Sequence, residues 1–131
     1  MAKQKKEAAK PPEYRFLISK LLDERTQKEQ LLFTIETTRA FRSFRYDIIM
    51  TERHKPKSFV FEINGLTMRN LSTPQTGPAV FEKLLPMLKG EHTFTVINMN
   101  EAKSRFKLKF TPKSVKVLQL PTDKFLELEL V

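Results

Sequence analysis

The chain has 131 residues, which fits a single domain large enough to bury a core without a metal or a disulfide. It contains no cysteine, and this excludes a disulfide scaffold, a thiolate zinc site and a cysteine nucleophile. The formal net charge of +9 at pH 7 makes polyanions the expected non-specific partners, whether nucleic acid, an anionic lipid surface or an acidic protein.

The N-terminal segment 1–12 is rich in lysine, has no large apolar residue after Met1 and ends at Pro11-Pro12. This composition predicts a disordered basic tail over 1–12, followed by one folded domain over 13–131. The tail serves either as a contact for phosphate or lipid headgroups or only as a solubilising segment. No apolar run follows Met1, and no stretch approaches the roughly 18 apolar residues of a membrane span, so the predicted location is the cytoplasm.

The next segment, 13–38, fits two patterns. Tyr14, Phe16 and Ile18 recur at every second position, and 31–38 is rich in β-branched and aromatic residues, as strands are. Apolar residues over 14–21 also follow the spacing of an amphipathic helix. We interpret the segment as a long hairpin, and its first element stays open between strand and helix.

The middle of the chain predicts a second hairpin, formed by alternating segments at 44–50 and 59–63 and joined by the charged link E-R-H-K-P-K. Residues 65–80 hold two of the three glycines and are predicted to form the longest loop, which makes them a candidate for a functional one. Apolar residues at helical spacing before Pro86 predict at most one short helix, near 79–85.

The second half of the chain adds strand predictions at 93–96, 102–110, 115–120 and 125–131. Short strands separated by turns predict an all-β fold, an antiparallel β-sandwich of about seven or eight strands. The segment L-K-G-E-H-T-F-T-V, with the hairpin after it, resembles the late strands of immunoglobulin-like and fibronectin-III-like sandwiches. The resemblance implies an immunoglobulin-like general architecture and no particular function.

The predicted strand at 102–110 has the most distinctive pattern in the chain. Cations occupy its odd positions and Phe106, Leu108 and Phe110 its even ones, and successive side chains of a strand point to opposite sides. One face is therefore apolar and the other cationic. Together with an arginine cluster earlier in the chain, the cationic face forms a candidate polyanion-binding site. Its residues are Lys103, Arg105, Lys107, Lys109, Arg39, Arg42 and Arg45.

Motifs for catalysis are missing from the sequence. None of the three glycines stands in a nucleophile elbow, a dinucleotide fingerprint or a phosphate-binding loop. His54 and His92 are far apart in sequence and belong to no ligand-spaced cluster. Glu127 and Glu129 share one face of a strand but alternate with leucines, so they are expected to face water rather than to be desolvated for acid catalysis. We predict a non-enzyme without a metal or a cofactor.

Lipid-surface binding and small-ligand binding remain open, and two other binding functions are favoured over them. The first is a protein-interaction or structural module with an unknown protein partner, in which Glu127 and Glu129 lie beside the cations of 103–109 and neutralise them in a cross-strand ladder. The second is a nucleic-acid-binding protein that uses the tail and the cationic strand face, whose charges recur about every 6.8 Å. Single-strand binders add aromatic stacking platforms, whereas Phe106 and Phe110 lie opposite the cations. The first function is therefore preferred.

Overall fold

The computed structural model describes residues 12–42, 44–69 and 75–131. Residues 1–11 of the predicted tail and residues 70–74 of the predicted loop lie outside the described residues. All regular secondary structure in the described residues is strand, which confirms the all-β prediction. The strands are β1 (Tyr14–Asp23), β2 (Lys28–Phe41), β3 (Tyr46–Lys55), β4 (Ser58–Met68), β5 (Gly77–Pro86), β6 (Gly90–Ile97), β7 (Lys103–Phe110), β8 (Val115–Gln119) and β9 (Leu126–Leu130).

The strands form one nine-stranded sheet in the order β8-β7-β6-β4-β3-β5-β2-β1-β9, which curls into a nearly closed, barrel-like shape. Five neighbouring pairs are antiparallel and three are parallel. The predicted antiparallel β-sandwich of about seven or eight strands is therefore confirmed only as an all-β fold, since the structure has one mixed, barrel-like sheet of nine strands. The reason is topological, because successive strands alternate in direction and the β3–β4 hairpin inserts between β5 and β6. This insertion places β3 beside β5 and β4 beside β6, and each of those pairs is parallel.

No helix forms in the described residues near 79–85, where the sequence predicts at most one short helix. These residues belong to β5, which pairs with β2 from Val80, opposite Glu36, to Pro86, opposite Gln30. Pro86 is the last residue of β5, so the amide hydrogen that it lacks is missing only at the end of the ladder. The chain at this point therefore continues the sheet.

The ambiguous first element is a strand. In β1, Tyr14, Phe16 and Ile18 are buried while the residues between them are partly exposed, which is the period of a half-buried strand. It pairs with β2 along its whole length, so the predicted long hairpin is confirmed. The predicted loop at 65–80 is shorter than expected, since β4 continues to Met68 and β5 begins at Gly77.

The chain closes the curled sheet through the segment that leads into β9. The Thr122 amide donates to the Arg105 carbonyl of β7 at 3.1 Å, and the Phe125 carbonyl accepts from the amides of Glu13 and Tyr14 at 2.8 and 2.9 Å. This segment therefore connects β7 on one side with the start of β1 on the other, and β9 then continues beside β1.

The two ends of the barrel differ. At the end where β5 leads into β6, Met87 and Leu88 pack against the core. The Lys57 ammonium, in the turn between β3 and β4, donates to the Lys89 carbonyl at 3.3 Å. The β5–β6 connection thus crosses the β3–β4 turn and covers this end. The other end, where β1 begins and β2 ends, is called the mouth.

Candidate functional site

The basic strand β7 has the two faces predicted for it. Ser104, Phe106, Leu108 and Phe110 are buried, and the cations between them are exposed or, at Lys107, half-buried. The apolar face of β7 belongs to the core, which leaves the cationic face on the outside of the barrel.

The acidic residues of the last strand are not next to these cations. Strand β9 pairs in parallel with β1, and Glu127 lies opposite Arg15. The Arg15 guanidinium forms ion pairs with Glu36 at 2.8 Å and with Glu127 at 3.5 Å. The ladder hypothesised between β7 and β9 is thus not formed, because the closing segment turns β9 towards β1.

Cations and small side chains form a groove on the outer face of β3, β4, β6 and β7. Strand registers arrange the residues in two rows across these strands. The floor consists of small side chains and the walls of long cationic ones. Two adjacent depressions that share Ser58 and Val60 make up the groove, one of about 330 Å³ at the end of β3 and one of about 520 Å³ next to β7. We call this surface the cationic groove. Its two rows are Lys55, Ser58, Thr93 and Lys107, and Arg53, Val60, Thr95 and Arg105.

The walls of the cationic groove are three strand spacings apart, roughly 14 Å between backbones. Arg105 Nε donates to Thr95 Oγ1 at 3.4 Å and so extends over the floor. Arg53 is paired with Glu62 at 3.3 Å. Within the described part of the chain, Lys55, Arg105 and Lys107 have no carboxylate within 4.0 Å, so their charges are available to a partner.

The structure divides the predicted seven-residue site. Arg105 and Lys107 line the cationic groove, whereas Lys103, opposite Ile97, and Lys109, opposite Glu91, lie on the same strand beyond its two ends. The earlier arginine cluster lies near the mouth instead and does not join this face. Its members are Arg39, Arg42 and Arg45.

Arg53 and Lys55 are groove residues that the sequence interpretation missed. They lie in the segment read as a charged link, which the structure shows to be the end of β3. Their spacing of two residues was a usable signal, since it is the spacing of cations on one face of a strand.

The arginines near the mouth have different surroundings. The Arg39 guanidinium lies 4.8 Å from the centre of the Phe41 ring, a cation–π distance. Arg45 packs against Gly77, where a β-carbon would stand 2.9 Å from Arg45 Nε, and this Nε is buried without a hydrogen-bond partner in the described residues. Arg42 is exposed.

The mouth contains a cavity of about 480 Å³. The residues that line it belong to the start of β1, to the ends of β2 and β4, and to the turn between β6 and β7. They include Tyr14, Arg39, Phe41, Leu66 and Met99. The Tyr14 side chain is 5% exposed. Burial, together with the neighbouring Glu13 carboxylate, raises the pKa of the Tyr14 hydroxyl above its ordinary value of 10.0.

The raised pKa of Tyr14 predicts a loss of stability in alkali. The stabilising contribution is complete below the ordinary pKa of 10.0 and is lost as the pH rises through the higher pKa of the folded state, because the unfolded chain releases this proton first. We expect Tyr14→Phe to lose less free energy of unfolding than the wild type between about pH 9 and about pH 11. Urea unfolding at both pH values measures this. Equal losses in the two proteins would contradict the assignment.

Both histidines contact the same aromatic residue, Phe59. His54 stacks on Phe59 with the ring centres 5.7 Å apart, and the buried His92 lies 6.1 Å from the same ring. His92 Nδ1 is 3.3 Å from the Gly90 carbonyl oxygen. In the described segments, no three histidine, aspartate or glutamate residues lie close enough to share a metal ion.

Nor does the described part of the chain contain a helix with the length and apolar character to cross a membrane. Comparison of the chain with protein-family models, with curated proteins and with solved structures found no match. The candidate site is therefore defined by the chain's own geometry.

Proposed function

We propose that the protein is a non-catalytic binding module that holds an acidic segment of a partner protein in the cationic groove. The observation that carries this proposal is the presence of two cationic walls on either side of a floor of small side chains. One wall consists of Arg53 and Lys55, and the other of Arg105 and Lys107. A surface of this kind attracts carboxylates and offers them hydrogen-bond donors at fixed spacing.

The dimensions of the cationic groove fit a single acidic segment. The backbones of its walls stand roughly 14 Å apart and the Arg105 side chain extends over the floor, so the remaining width suits an extended chain better than an α-helix, which is about 10–12 Å across with its side chains. Ser58 and Thr93 place hydroxyl groups on the floor, and a hydroxyl donates readily to a carboxylate. The groove thus supplies charge at its sides and neutral donors at its centre.

The distribution of charge over the barrel supports an oriented approach of the partner. The outer faces of β5, β2, β1 and β9 carry carboxylates around Arg15 and point away from the cationic groove. An acidic partner is repelled by that side and attracted by the other, which favours one docking orientation. The carboxylates are Glu36, Glu82, Glu127 and Glu129.

A second candidate function, binding of a nucleic-acid backbone, is favoured by the spacing of the wall cations. Arg105 and Lys107 are two strand residues apart, about 6.8 Å, which is compatible with successive phosphates of an extended single strand. Among the described residues, no aromatic side chain lines the depression beside β7, and His54, beside the other wall, is already stacked on Phe59, so bases would find no free stacking platform there. This difference favours the acidic protein segment.

The test compares a fluorescein-labelled twelve-residue oligoglutamate with a labelled oligothymidylate of matched charge, by fluorescence anisotropy across a salt series. We expect Lys107→Glu and Lys55→Glu each to weaken oligoglutamate binding about tenfold at low salt, because each reversal removes one attraction and adds a repulsion. Lys28→Glu is the matched control, since it changes the net charge equally but lies in β2, outside the groove.

The outcomes separate the candidates. Weaker oligoglutamate binding in the groove variants alone supports the proposed function. Tighter binding of the oligothymidylate, with the same dependence on the groove variants, would replace it with the nucleic-acid function. An equal effect of Lys28→Glu would mean that only the net charge matters, and the groove would then be no site.

A further inference from the structure

The mouth cavity has the properties of a small-molecule site that is separate from the cationic groove. Its volume of about 480 Å³ lies within the range of roughly 300–1,000 Å³ typical of ligand pockets. Most of its lining is apolar, with Phe41, Leu66 and Met99 among the lining residues. Mouths of β-barrels are also a common place for such pockets.

A β-bulge positions the charged group of this cavity. The register of β2 on β5 shifts between Glu36 and Ala40, so β2 carries extra residues there. Thr37 fixes the bulge, since its hydroxyl accepts from the Ala79 amide at 2.9 Å and donates to the Arg39 carbonyl at 2.7 Å. Bulges commonly redirect a side chain at the rim of a barrel. Here the redirected side chain is Arg39, which lines the cavity.

Aromatic rings hold Arg39 in place. Its guanidinium lies 4.8 Å from the centre of the Phe41 ring, and Phe41 in turn packs edge-on against Tyr46 with the ring centres 4.9 Å apart. A guanidinium supported on one face keeps its N–H donors in its plane and directs them sideways. Arg39 is thus arranged to receive a planar anion such as a carboxylate.

Two of the other polar side chains that line the cavity are already hydrogen-bonded. The Glu13 carboxylate accepts from Asn98 Nδ2 at 3.2 Å, and the Thr38 hydroxyl donates to the Pro12 carbonyl at 2.6 Å. Among the residues that the structure describes, Arg39 has no carboxylate within 4.0 Å. Of the described lining residues, Arg39 is therefore the one cation and stands beside an apolar surface, while the Glu13 carboxylate, held by Asn98, is the one anion.

We propose that the mouth cavity binds a small apolar molecule with a single carboxylate, which pairs with Arg39 while the apolar part lies against Phe41, Leu66 and Met99. Apolar burial supplies affinity and the charge-assisted hydrogen bonds to Arg39 supply orientation. A long acidic chain does not fit this description, because the cavity offers one cation rather than two facing rows.

The probe for this site is decanoate, with decan-1-ol as the neutral analogue of equal chain length, measured by titration calorimetry on the full chain. Wild type should bind decanoate at least tenfold more tightly than decan-1-ol. Arg39→Gln should weaken decanoate binding about tenfold or more and change decan-1-ol binding less than twofold, since only the carboxylate uses the charge. Arg42→Gln, a neighbouring exposed arginine outside the lining, is the matched control and should change neither.

A second variant locates the apolar part of the ligand. Met99 lies in an exposed turn, so Met99→Trp should narrow the cavity without disturbing the core, and both probes should then bind more weakly. Three results would overturn the proposal: no binding of decanoate at millimolar concentration, equal binding in wild type and Arg39→Gln, or equal loss in Arg42→Gln. None of them bears on the cationic groove, which the oligoglutamate experiment tests separately.

Discussion

Replacing Phe94 with alanine should lower the free energy of unfolding by about 3–5 kcal/mol, as expected for a large aromatic side chain removed from a packed core. Phe94 is 0% exposed and stacks between Phe59 and Phe106, with ring centres at 5.2 and 5.0 Å. It also meets Phe16 and Phe33 across the interior, at 6.0 and 5.5 Å. The cavity left by Phe94→Ala would therefore remove ring contacts both between neighbouring strands and across the interior of the barrel.

Urea unfolding followed by circular dichroism measures the effect. Phe44→Ala is the control, because Phe44 is 50% exposed, and its change should stay within about 0.5 kcal/mol. An unchanged dependence on urea concentration would indicate that the loss arises in the folded state. A loss below about 1 kcal/mol for Phe94→Ala would mean that the barrel interior is not packed as described.

Most strands of this barrel could be predicted from the sequence because their signal is local. In β1 and β7, apolar residues recur at every second position and point inward, and this period is visible without knowing any partner strand. The same reasoning correctly gave β7 one apolar and one cationic face. A period of two therefore fixed which side chains of Lys103–Phe110 face the core.

Strand β5 could not be predicted from an alternation of apolar and polar residues, because a charged residue, Lys83, faces inward in it. Lys83 lies opposite the buried Phe33, and its ammonium pairs with Glu52 at 2.9 Å. The exposed Leu84 then falls between this lysine and the buried Leu85. The resulting pattern of apolar residues matches a helix. The register of β5 on β2 places Lys83 on the inner side, and the ion pair with Glu52 compensates its charge there.

The order of the strands was beyond the sequence for a different reason. Nothing local marks the insertion of the β3–β4 hairpin between β5 and β6 or the parallel pairing of β9 with β1, since both depend on residues far apart in the chain. For the same reason, the sequence alone could not predict which cations form the cationic groove. Arg53 and Lys55 meet Arg105 and Lys107 only through the registers of β3, β4 and β6.

The position of β9 also changes the meaning of the charge pattern. Glu127 and Glu129 have the same period of two as the cations of β7, and sequence spacing alone allows the two sets to be neighbours. The closing segment prevents this by leading β9 to β1, where Arg15 takes up Glu127. The barrel thereby keeps an acidic outer face and a cationic one apart, which is the condition for the cationic groove to attract a partner.

Ser104→Ala should lower the free energy of unfolding by about 2–3 kcal/mol, because it removes the side chain that holds the closing segment. Ser104 is 0% exposed, and its hydroxyl donates to the Asp123 carbonyl and accepts from the Asp123 amide, both at 3.0 Å. Without this hydroxyl the Asp123 amide loses its partner and the Asp123 carbonyl keeps only the longer bond from the Leu126 amide at 3.4 Å, and an unpaired buried group costs about 1–3 kcal/mol before water compensates.

Amide hydrogen exchange distinguishes a local opening of the barrel from a general loss of stability. If residues 122–125 close the sheet, Ser104→Ala should speed exchange most at the amides of Thr122, Asp123 and Tyr14, which bond within or to this segment. Ser19→Ala, on the outer side of β1, is the control and should leave these rates and the free energy of unfolding nearly unchanged. Uniformly faster exchange in all strands would contradict the closing role, since the segment would then unfold only together with the whole barrel.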